Sequence, residues 1–312
     1  MRRRYLCGAL VAVLATAAAL SAAASQAAIH STMKPVKPSV MRVFKGKGSN
    51  PSRPRRTNNL SYRGGVGGIG IETAPQVYLV LWGSQWTGND PSGESNLLQS
   101  FFAAVGGSPW VHSVTQYCQG VAPGTTTCPA GSTFAGGGVT FAPSQVWADN
   151  GSAAPSHPTQ TQLANEAINA ANHFGNTTAA SNKTVQYVIA TSTGHSASGF
   201  GTSYCAWHSS TSSVDGNIAY TNLPYITDAG AACGANFNNL GPYAGITIVE
   251  GHEMAETITD QFPNGGWLDG SGEENGDKCA WSPATSSQPM GQSSFPVQPL
   301  WSNASSSCVL SY

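Results

Sequence analysis

Charged side chains are scarce in this chain of 312 residues, at 9% of the total, and they are unevenly distributed. Residues 64–312 contain all 15 acidic side chains but only two basic ones, Lys183 and Lys278, which gives this part a net charge of −13. Such a charge argues against a nucleic acid as partner, because phosphates would be repelled. The other 12 Lys and Arg residues lie at or before Arg63.

Three further patterns are missing, and each absence excludes a class of protein. No Cys-x-x-Cys pair occurs, which argues against a zinc site built from four cysteines. Gly-x-Ser-x-Gly is also absent, since the segment 194–198 ends in serine, and this argues against a serine hydrolase. Beyond the N-terminal region no apolar stretch approaches about 18 residues, so we expect no membrane span.

The N-terminal region has the pattern of a secretory signal. Arg2-Arg3-Arg4 precedes an apolar run, and a small-residue cleavage pattern follows at Ser25-Gln26-Ala27. We therefore expect residues 1–27 to be a signal peptide and the protein to be secreted into the extracellular space.

The segment 28–63 is basic and Pro-rich and has no sustained apolar period, which predicts an extended or disordered chain on its own. It is either a propeptide that lies on the acidic domain and is cut near Arg55-Arg56, or a linker that touches anionic wall polymers. Its charge, opposite to that of the rest, favours the propeptide.

Residues 64–312 are predicted to form one large domain, because no repeat or internal boundary is visible, and we expect the protein to be a monomer. Hydrophobic periodicity predicts strands and helices in alternation. The predicted strands are 76–82, 138–141, 185–191 and 217–220, and the predicted helices are 96–105, 159–174 and 243–260. This mixture indicates an α/β or α+β fold with long loops.

Six cysteines follow the signal, and an even number in an exported chain favours disulfides. The short spacing between Cys118 and Cys128 makes them a plausible pair. The sequence leaves the pairing of the other four open; we favour Cys205 with Cys233 and Cys279 with Cys308.

The most informative segment is Gly251-His252-Glu253-Met254-Ala255-Glu256, because it stacks metal-binding side chains at helical spacing. Residues four apart share one helix face, so His252, Glu256 and Asp260 fall within about 80° of arc. Met254 points to the opposite side. This division predicts a half-buried helix that presents imidazole and carboxylates to a cleft.

From His252 onward the segment nearly matches the zinc-peptidase signature His-Glu-x-x-His, in which two histidines bind zinc and the glutamate activates water. Glu256 replaces the second histidine. Carboxylate oxygen is also a zinc ligand, so coordination stays possible, although the site gains negative charge. A metal held by His252 and Glu256 would need at least one further protein ligand.

The acidic loop after this helix offers such ligands, but it also permits another interpretation. Asp269, Ser271 and Glu273 alternate as calcium ligands do. The loop lacks the Gly and Glu that an EF-hand requires at its sixth and twelfth positions. Calcium in the 269–277 loop and plain solvated acids therefore both remain open.

Seven segments between residues 62 and 310 resemble, in the same order, the blocks of a known family. The more specific ones are Tyr204-Cys205-Ala206-Trp207-His208, His252-Glu253-Met254-Ala255-Glu256 and Glu274-Asn275-Gly276-Asp277-Lys278-Cys279; the others begin at Tyr62, Val77, Gly106 and Tyr187. The family is the EXORDIUM, or phosphate-induced, family with its exported bacterial relatives. Asp260-Gln261 departs from the Asn-Pro of plant members, so Asp260 is a doubtful ligand.

The resemblance implies a single zincin-like domain and a zinc-peptidase-like site. Carried over to matching positions, it makes His252 and Glu256 metal ligands, with Glu274 or Asp277 as the third. Plant members of the family are exported, wall-associated proteins linked to growth.

The resemblance also implies roles in catalysis for two residues. Glu253 would be the general base that takes a proton from a zinc-activated water before attack on a peptide carbonyl. His208 would complete the metal shell or stabilise the oxyanion, although a histidine hydrogen-bonded near a disulfide is as consistent with the sequence. The expected function is thus an exported, metal-dependent peptidase acting on a protein or peptide substrate.

Two other functions are compatible with the sequence. One is a non-catalytic protein that binds cell-wall polymer or carbohydrate around a structural metal, supported by the plant members and by eight tryptophans that could stack on sugars. The other is a glycosidase that uses two carboxylates.

Overall fold

A computed structural model of the chain describes residues 35–45 and 58–312. The predicted signal peptide at 1–27 and the predicted cut near residues 55–56 lie outside these ranges. Of the helices found within them, none combines the length and the apolar character that crossing a membrane requires.

The described ranges contain strands and helices in roughly equal amounts. The strands are β1 (Ser39–Arg42), β2 (Ser61–Tyr62), β3 (Gln76–Trp82), β4 (Cys118–Gln119), β5 (Thr133–Phe134), β6 (Val146–Asp149), β7 (Val185–Thr191), β8 (Tyr204–Ser213), β9 (Gly216–Leu223), β10 (Trp267–Leu268), β11 (Ser286–Met290), β12 (Ser293–Val297), β13 (Leu300–Ser302) and β14 (Ser307–Val309). The α-helices are α1 (Glu94–Val105), α2 (Gln160–His173) and α3 (Ala244–Thr259). The expected α/β or α+β class is confirmed.

A six-stranded mixed sheet forms the centre of the fold, in the order β1-β8-β9-β7-β3-β6. The strands β9, β7, β3 and β6 pair in parallel, whereas β8 and β1 are added antiparallel at one side. All seven residues of β7 are buried, as expected for a parallel strand covered on both faces. The remaining strands form four two-stranded ribbons.

Helices cover both faces of this sheet. Adjacent residues of a strand point to opposite faces, and two neighbours on β8 contact different helices. His208 lies against Glu253 of α3, whereas the hydroxyl of Ser209 accepts a hydrogen bond from Gln160 of α2. The helices α2 and α3 therefore lie on opposite sides of the sheet, and α1 packs against α3.

The helix α2 begins where its sequence predicts. Thr159 is the N-cap, and its side chain accepts a hydrogen bond from the backbone N–H of Gln162, whose own side chain accepts from the N-cap backbone. This reciprocal pair satisfies two N–H groups that a helix start leaves without partners.

The helix α3 differs from its prediction in one respect, although its bounds agree closely. All 16 of its residues are buried, so the predicted half-buried helix is wrong. One side packs on α1 and the β11–β12 ribbon, and the other side packs on β8 and β1. Both the apolar stripe and the polar edge are thus covered by protein.

The predicted strand at 138–141 is also wrong, because only Thr140 forms a single bridge there, to Gln76. The strand that pairs with β3 at this edge is β6, a few residues later. The strands at 76–82 and 185–191 are confirmed, and the one predicted at 217–220 is longer, since it is β9.

Three disulfides tie the loops, and all three expected pairs are confirmed. They join Cys118 to Cys128, Cys205 to Cys233 and Cys279 to Cys308. The second links β8 to the segment just before α3. Disulfides are typical of proteins that fold in an oxidising, exported environment.

The first residue of α1 gives the fold a testable pH dependence. Glu94 is 1% exposed, and both of its carboxylate oxygens accept from the backbone N–H of Ile226, at 3.0 and 3.1 Å. Burial raises the pKa of Glu94 to about 8, and the nearby Asp90 and Asp228 add to the shift. A raised folded-state pKa means that the folded protein keeps this proton between about pH 4.5 and 8 while the unfolded chain releases it. The contribution to stability is therefore present at acid pH and declines as the pH rises through this window.

We expect the variant Glu94→Gln, which keeps the acceptor but cannot ionise, to lose less stability on going from pH 5 to pH 7.5. The slope of the unfolding free energy should become shallower by up to about 1 kcal/mol per pH unit. Urea unfolding of the wild-type and Glu94→Gln proteins at pH 5 and pH 7.5 measures this slope. Parallel declines in the two proteins would contradict the assignment.

Candidate metal centre

The candidate metal centre lies where α3 crosses the face of β8. The side chains that meet there are His208 from β8, His252, Glu253 and Glu256 from α3, and Glu274 and Asp277 from the loop after β10. All of these side chains are fully buried except that of Asp277, which is 19% exposed. All six predicted site residues are therefore brought into one place.

His252 is the centre of a first group of potential ligands. Its Nε2 lies 3.0 Å from Oε1 of Glu256 and 3.8 Å from Oδ1 of Asp277. On the other side of the ring, Nδ1 lies 3.3 Å from Oε1 of Gln298, an oxygen that can only accept. Nδ1 can therefore donate to Gln298, and this contact directs Nε2 toward the two carboxylates. Metal-binding histidines are commonly oriented by such a second hydrogen bond.

The orienting residue is itself held in place by the acidic loop. Gln298 donates from Nε2 to the backbone carbonyl of Gly276 at 2.8 Å. The next backbone N–H, that of Asp277, donates to Oε1 of Glu256 at 2.8 Å. The loop therefore passes directly over the ring of His252 and the carboxylate of Glu256.

His208 is the centre of a second group. Its Nδ1 lies 3.2 Å from Oε2 of Glu253 and 3.6 Å from Oε2 of Glu256, and its Nε2 lies 3.5 Å from Oε1 of Glu274. Of the two residues predicted as a third ligand, Asp277 thus belongs with His252, whereas Glu274 lies against His208.

Each group could hold a metal ion, and the two share Glu256. One is His252, Glu256 and Asp277, and the other is His208, Glu253 and Glu256; in each, the ligand atoms lie within 4.8 Å of one another. The first group matches the predicted ligands. The second contains both residues that are predicted to act in catalysis.

Several polar atoms at this centre have no hydrogen-bond partner within the described ranges. They include Oε2 of Glu256 and Nε2 of His252, which lies 3.0 Å from Oε1 of Glu256 without forming a hydrogen bond to it. Buried polar atoms are nearly always paired, because an unpaired one costs about 1–3 kcal/mol. Imidazole nitrogens and carboxylate oxygens that converge in one buried space form a donor set suited to a divalent cation.

The raised pKa values of the carboxyl groups also support a cation site at this centre. Burial raises the pKa of Glu256 well above its ordinary value, and the nearby Glu274 and Glu253 raise it further. Burial likewise raises the pKa of Asp277, with Glu256 adding to the effect. These carboxyl groups are too close together to ionise freely, and a bound cation would reverse that repulsion.

His208 and Glu274 form an ion pair within this centre. Burial alone would lower the pKa of His208, but Glu274 and Glu253 outweigh it and raise that pKa well above its ordinary value. Burial would raise the pKa of Glu274, yet the adjacent His208 lowers it below its ordinary value. His208 is therefore bound by carboxylates on both sides of its ring.

Two residues considered from the sequence are engaged elsewhere. Asp260 is the C-cap of α3, and its carboxylate accepts from the backbone N–H groups of residues 264–266. The carboxylate of Asp269, in the loop that could have held calcium, accepts from the backbone N–H groups of Ser271 and Glu273 and pairs with Lys278 at 3.3 Å.

Sequence reasoning missed Gln298, Gly276 and Met41 as parts of this centre. The backbone N–H of Met41, in β1, lies 3.3 Å from Oε1 of Glu253 and donates to it. An isolated glutamine and a single backbone N–H carry no pattern that could have indicated these contacts. The glycine did carry a signal, since it lies inside the segment 274–279 of the family resemblance.

Comparisons with known proteins identify no family for this chain. No family model matches the chain, and neither a curated protein nor a solved structure is significantly similar to it. The resemblance to the EXORDIUM family therefore remains an expectation from its motifs.

The close approach of the loop to the centre can be tested at Gly276. A Cβ at this position would lie 2.8 Å from Nδ1 of His252 and 2.9 Å from Oε1 of Glu256. Its φ of −75° suits any residue, so the effect of Gly276→Ala comes from this contact alone. We expect metal affinity to fall by about 10–100-fold, the loss typical when ligand orientation is disturbed.

The measurement is metal binding by competition with a coloured chelator. Gly270→Ala is the matched control, because a Cβ at Gly270 meets nothing within 4 Å. Equal affinities in the two variants would contradict a metal held beside Gly276.

Proposed function

We propose that this protein is an exported zinc peptidase, with the ion held by His252, Glu256 and Asp277. The observation that carries the proposal is the orientation of His252, whose Nδ1 faces Gln298 while Nε2 faces the two carboxylates. One imidazole and two carboxylates are three protein ligands, the number typical of a catalytic zinc whose fourth position is taken by water or substrate. The presence of imidazole favours zinc over calcium, which prefers oxygen ligands alone.

A zinc ion bound here would supply a Lewis acid for a peptide carbonyl and lower the pKa of water beside it. The chain provides the remaining chemistry. Glu253 follows His252 directly on α3, and its carboxylate reaches the same buried space. As general base it would take a proton from the attacking water and pass it to the leaving amine.

His208 supports this role from the opposite side. Its Nδ1 lies 3.2 Å from Oε2 of Glu253, close enough to orient that carboxylate. Glu274 and Glu253 raise the pKa of His208 well above its ordinary value, which favours a positive charge on its ring. A cation in this position suits the negative charge that develops on a carbonyl oxygen during attack.

The structure weakens the support for the carbohydrate-binding alternative. Seven of the eight tryptophans are buried, so they are not available to stack on a sugar. The exception is Trp147, which is half-buried and stacks on His173 with ring centroids 4.2 Å apart. The aromatic residues of this chain thus serve mainly its core.

The proposal predicts different outcomes for two variants of α3. His252→Ala should lose its bound metal. Glu253→Gln should keep the metal but hydrolyse peptides on the order of 100-fold more slowly or worse, because it removes the general base. Elemental analysis of protein purified without chelator and a quenched-fluorescent peptide library measure the two effects. His112→Ala, at an exposed histidine, is the control for His252→Ala.

Other results would point elsewhere. Metal retained in His252→Ala but lost in His208→Ala would place the ion in the second group. Full activity in Glu253→Gln would refute the general-base role. A metal-containing protein that cleaves no peptide and binds insoluble glycan would make the wall-binding function the leading one.

A further inference from the structure

The strand β1 occupies a surface on which the proposed peptidase would bind its substrate. We infer that the edge of β8 beside the metal centre binds an extended peptide, antiparallel to β8, with a large apolar side chain in the position that Met41 fills. The N-terminal segment of the chain itself is the occupant in this structure. This inference rests on the proposed function, because it names the substrate's conformation and one of its side chains.

The register places β1 directly over the centre. Ser39 is paired with His208 and Met41 with Ala206 on β8. Residues paired across two strands have side chains on the same face, so Ser39 and Met41 share the face that His208 presents to α3. An extended chain in this position thus passes along the metal centre.

The side chain of Met41 fills the proposed binding surface and indicates which kind of side chain that surface accepts. Its side chain is 0% exposed and belongs to the hydrophobic core, although it comes from a polar and basic segment. Its backbone N–H donates to Oε1 of Glu253, while His208 lies against Oε2 of the same carboxylate. Met41 thus lies directly against the carboxylate that is proposed as the general base, in the space that a substrate would need.

The residues on either side of Met41 are held by backbone hydrogen bonds, which any peptide sequence can make. The carbonyl of Arg42 accepts from Nε1 of Trp281 at 2.7 Å, and the N–H of Phe44 donates to the carbonyl of Ala232 at 2.8 Å. At the other end, the N–H of Val36 donates to the carbonyl of Ser210 at 2.8 Å. Main-chain pairing provides affinity and pockets for alternate side chains provide selectivity in this mode of peptide recognition.

Three observations indicate that β1 can be replaced. It is a four-residue strand at the edge of the sheet, with a pairing partner on only one side. The segment 28–63 to which it belongs has no acidic residue, whereas residues 64–312 carry a net charge of −13, so attraction between charges contributes to its binding. The sequence offers Arg55-Arg56 as a cleavage point between β1 and the rest of the domain.

The test uses the full chain with the recognition sequence of a site-specific protease inserted between Arg53 and Pro54. The probe is a fluorescent synthetic peptide of residues 35–45, and its control is the same peptide carrying Met41→Asp. Anisotropy reports binding to the zinc-loaded protein before and after the cut, and gel filtration with circular dichroism reports whether the cut protein stays folded. Hydrolysis of the peptide library is followed in parallel.

After the cut, the probe should bind at least about tenfold more tightly than before, because β1 no longer competes within the same chain at a high effective concentration. The Met41→Asp peptide should bind at least about tenfold more weakly than the probe, because it places a charge in an apolar site. Peptide hydrolysis should rise on cutting, and the probe should inhibit it competitively.

Each contrary result overturns a distinct part of the inference or of the proposed function. If the N-terminal fragment does not exchange, or if the cut protein unfolds when it leaves, β1 is a permanent strand and the inference is wrong. If both peptides bind equally, the position of Met41 does not select a side chain. If the probe binds as expected but no peptide is hydrolysed, the binding surface stands and the proposed peptidase function fails.

Discussion

The crowding of carboxyl groups around two imidazoles is the constraint on which the rest of this structure depends. Glu253, Glu256, Glu274 and Asp277 lie within one buried space, where Glu253 and Glu274 add to the raised pKa values of Glu256 and Asp277. Carboxylates that are buried together are costly unless a cation or a proton compensates them. Three parts of the fold hold this arrangement: the sheet lies on one side of it, the fully buried helix α3 on the second and the loop after β10 on the third.

The part of this centre that lies on α3 was predictable because helical periodicity fixes which side chains share a face. His252 and Glu256 are one turn apart, and this spacing places them on one face, where their ligand atoms lie 3.0 Å apart. The loop ligands were predictable only through the motif resemblance, since nothing in their spacing gives a distance to α3. The same spacing argument placed Asp260 on the ligand face, but the helix ends there and the carboxylate caps the turn that follows.

The fold was predictable where strands are apolar and not where they are polar. The strands β3 and β7 are mostly apolar, as is typical of parallel strands covered on both faces. The strand β8 was missed because most of its second half is serine and threonine, which resembles a loop, even though eight of its ten residues are buried. The strand β1 was missed for the opposite reason: its pairing depends on a partner more than 160 residues away, and no local pattern encodes it.

The position of Gln298 has a similar origin. It follows the β11–β12 ribbon, which packs on α3, and this packing rather than any motif brings its amide to His252. Long-range packing of this kind orients the ring of a histidine far away in sequence. Residues that orient ligands are in general harder to predict than the ligands, because several residue types could make the same hydrogen bond.

The antiparallel pairing of β1 with β8 also bears on self-association. An uncovered edge strand offers a row of unpaired N–H and C=O groups to any other chain, including another copy of the same protein. The strand β8 is long and mostly buried, so an open edge here would be a strong template for aggregation. A segment of the chain's own N-terminal region closes that edge. The newly made protein would then carry its own protection against self-association until a different chain takes over the same hydrogen bonds.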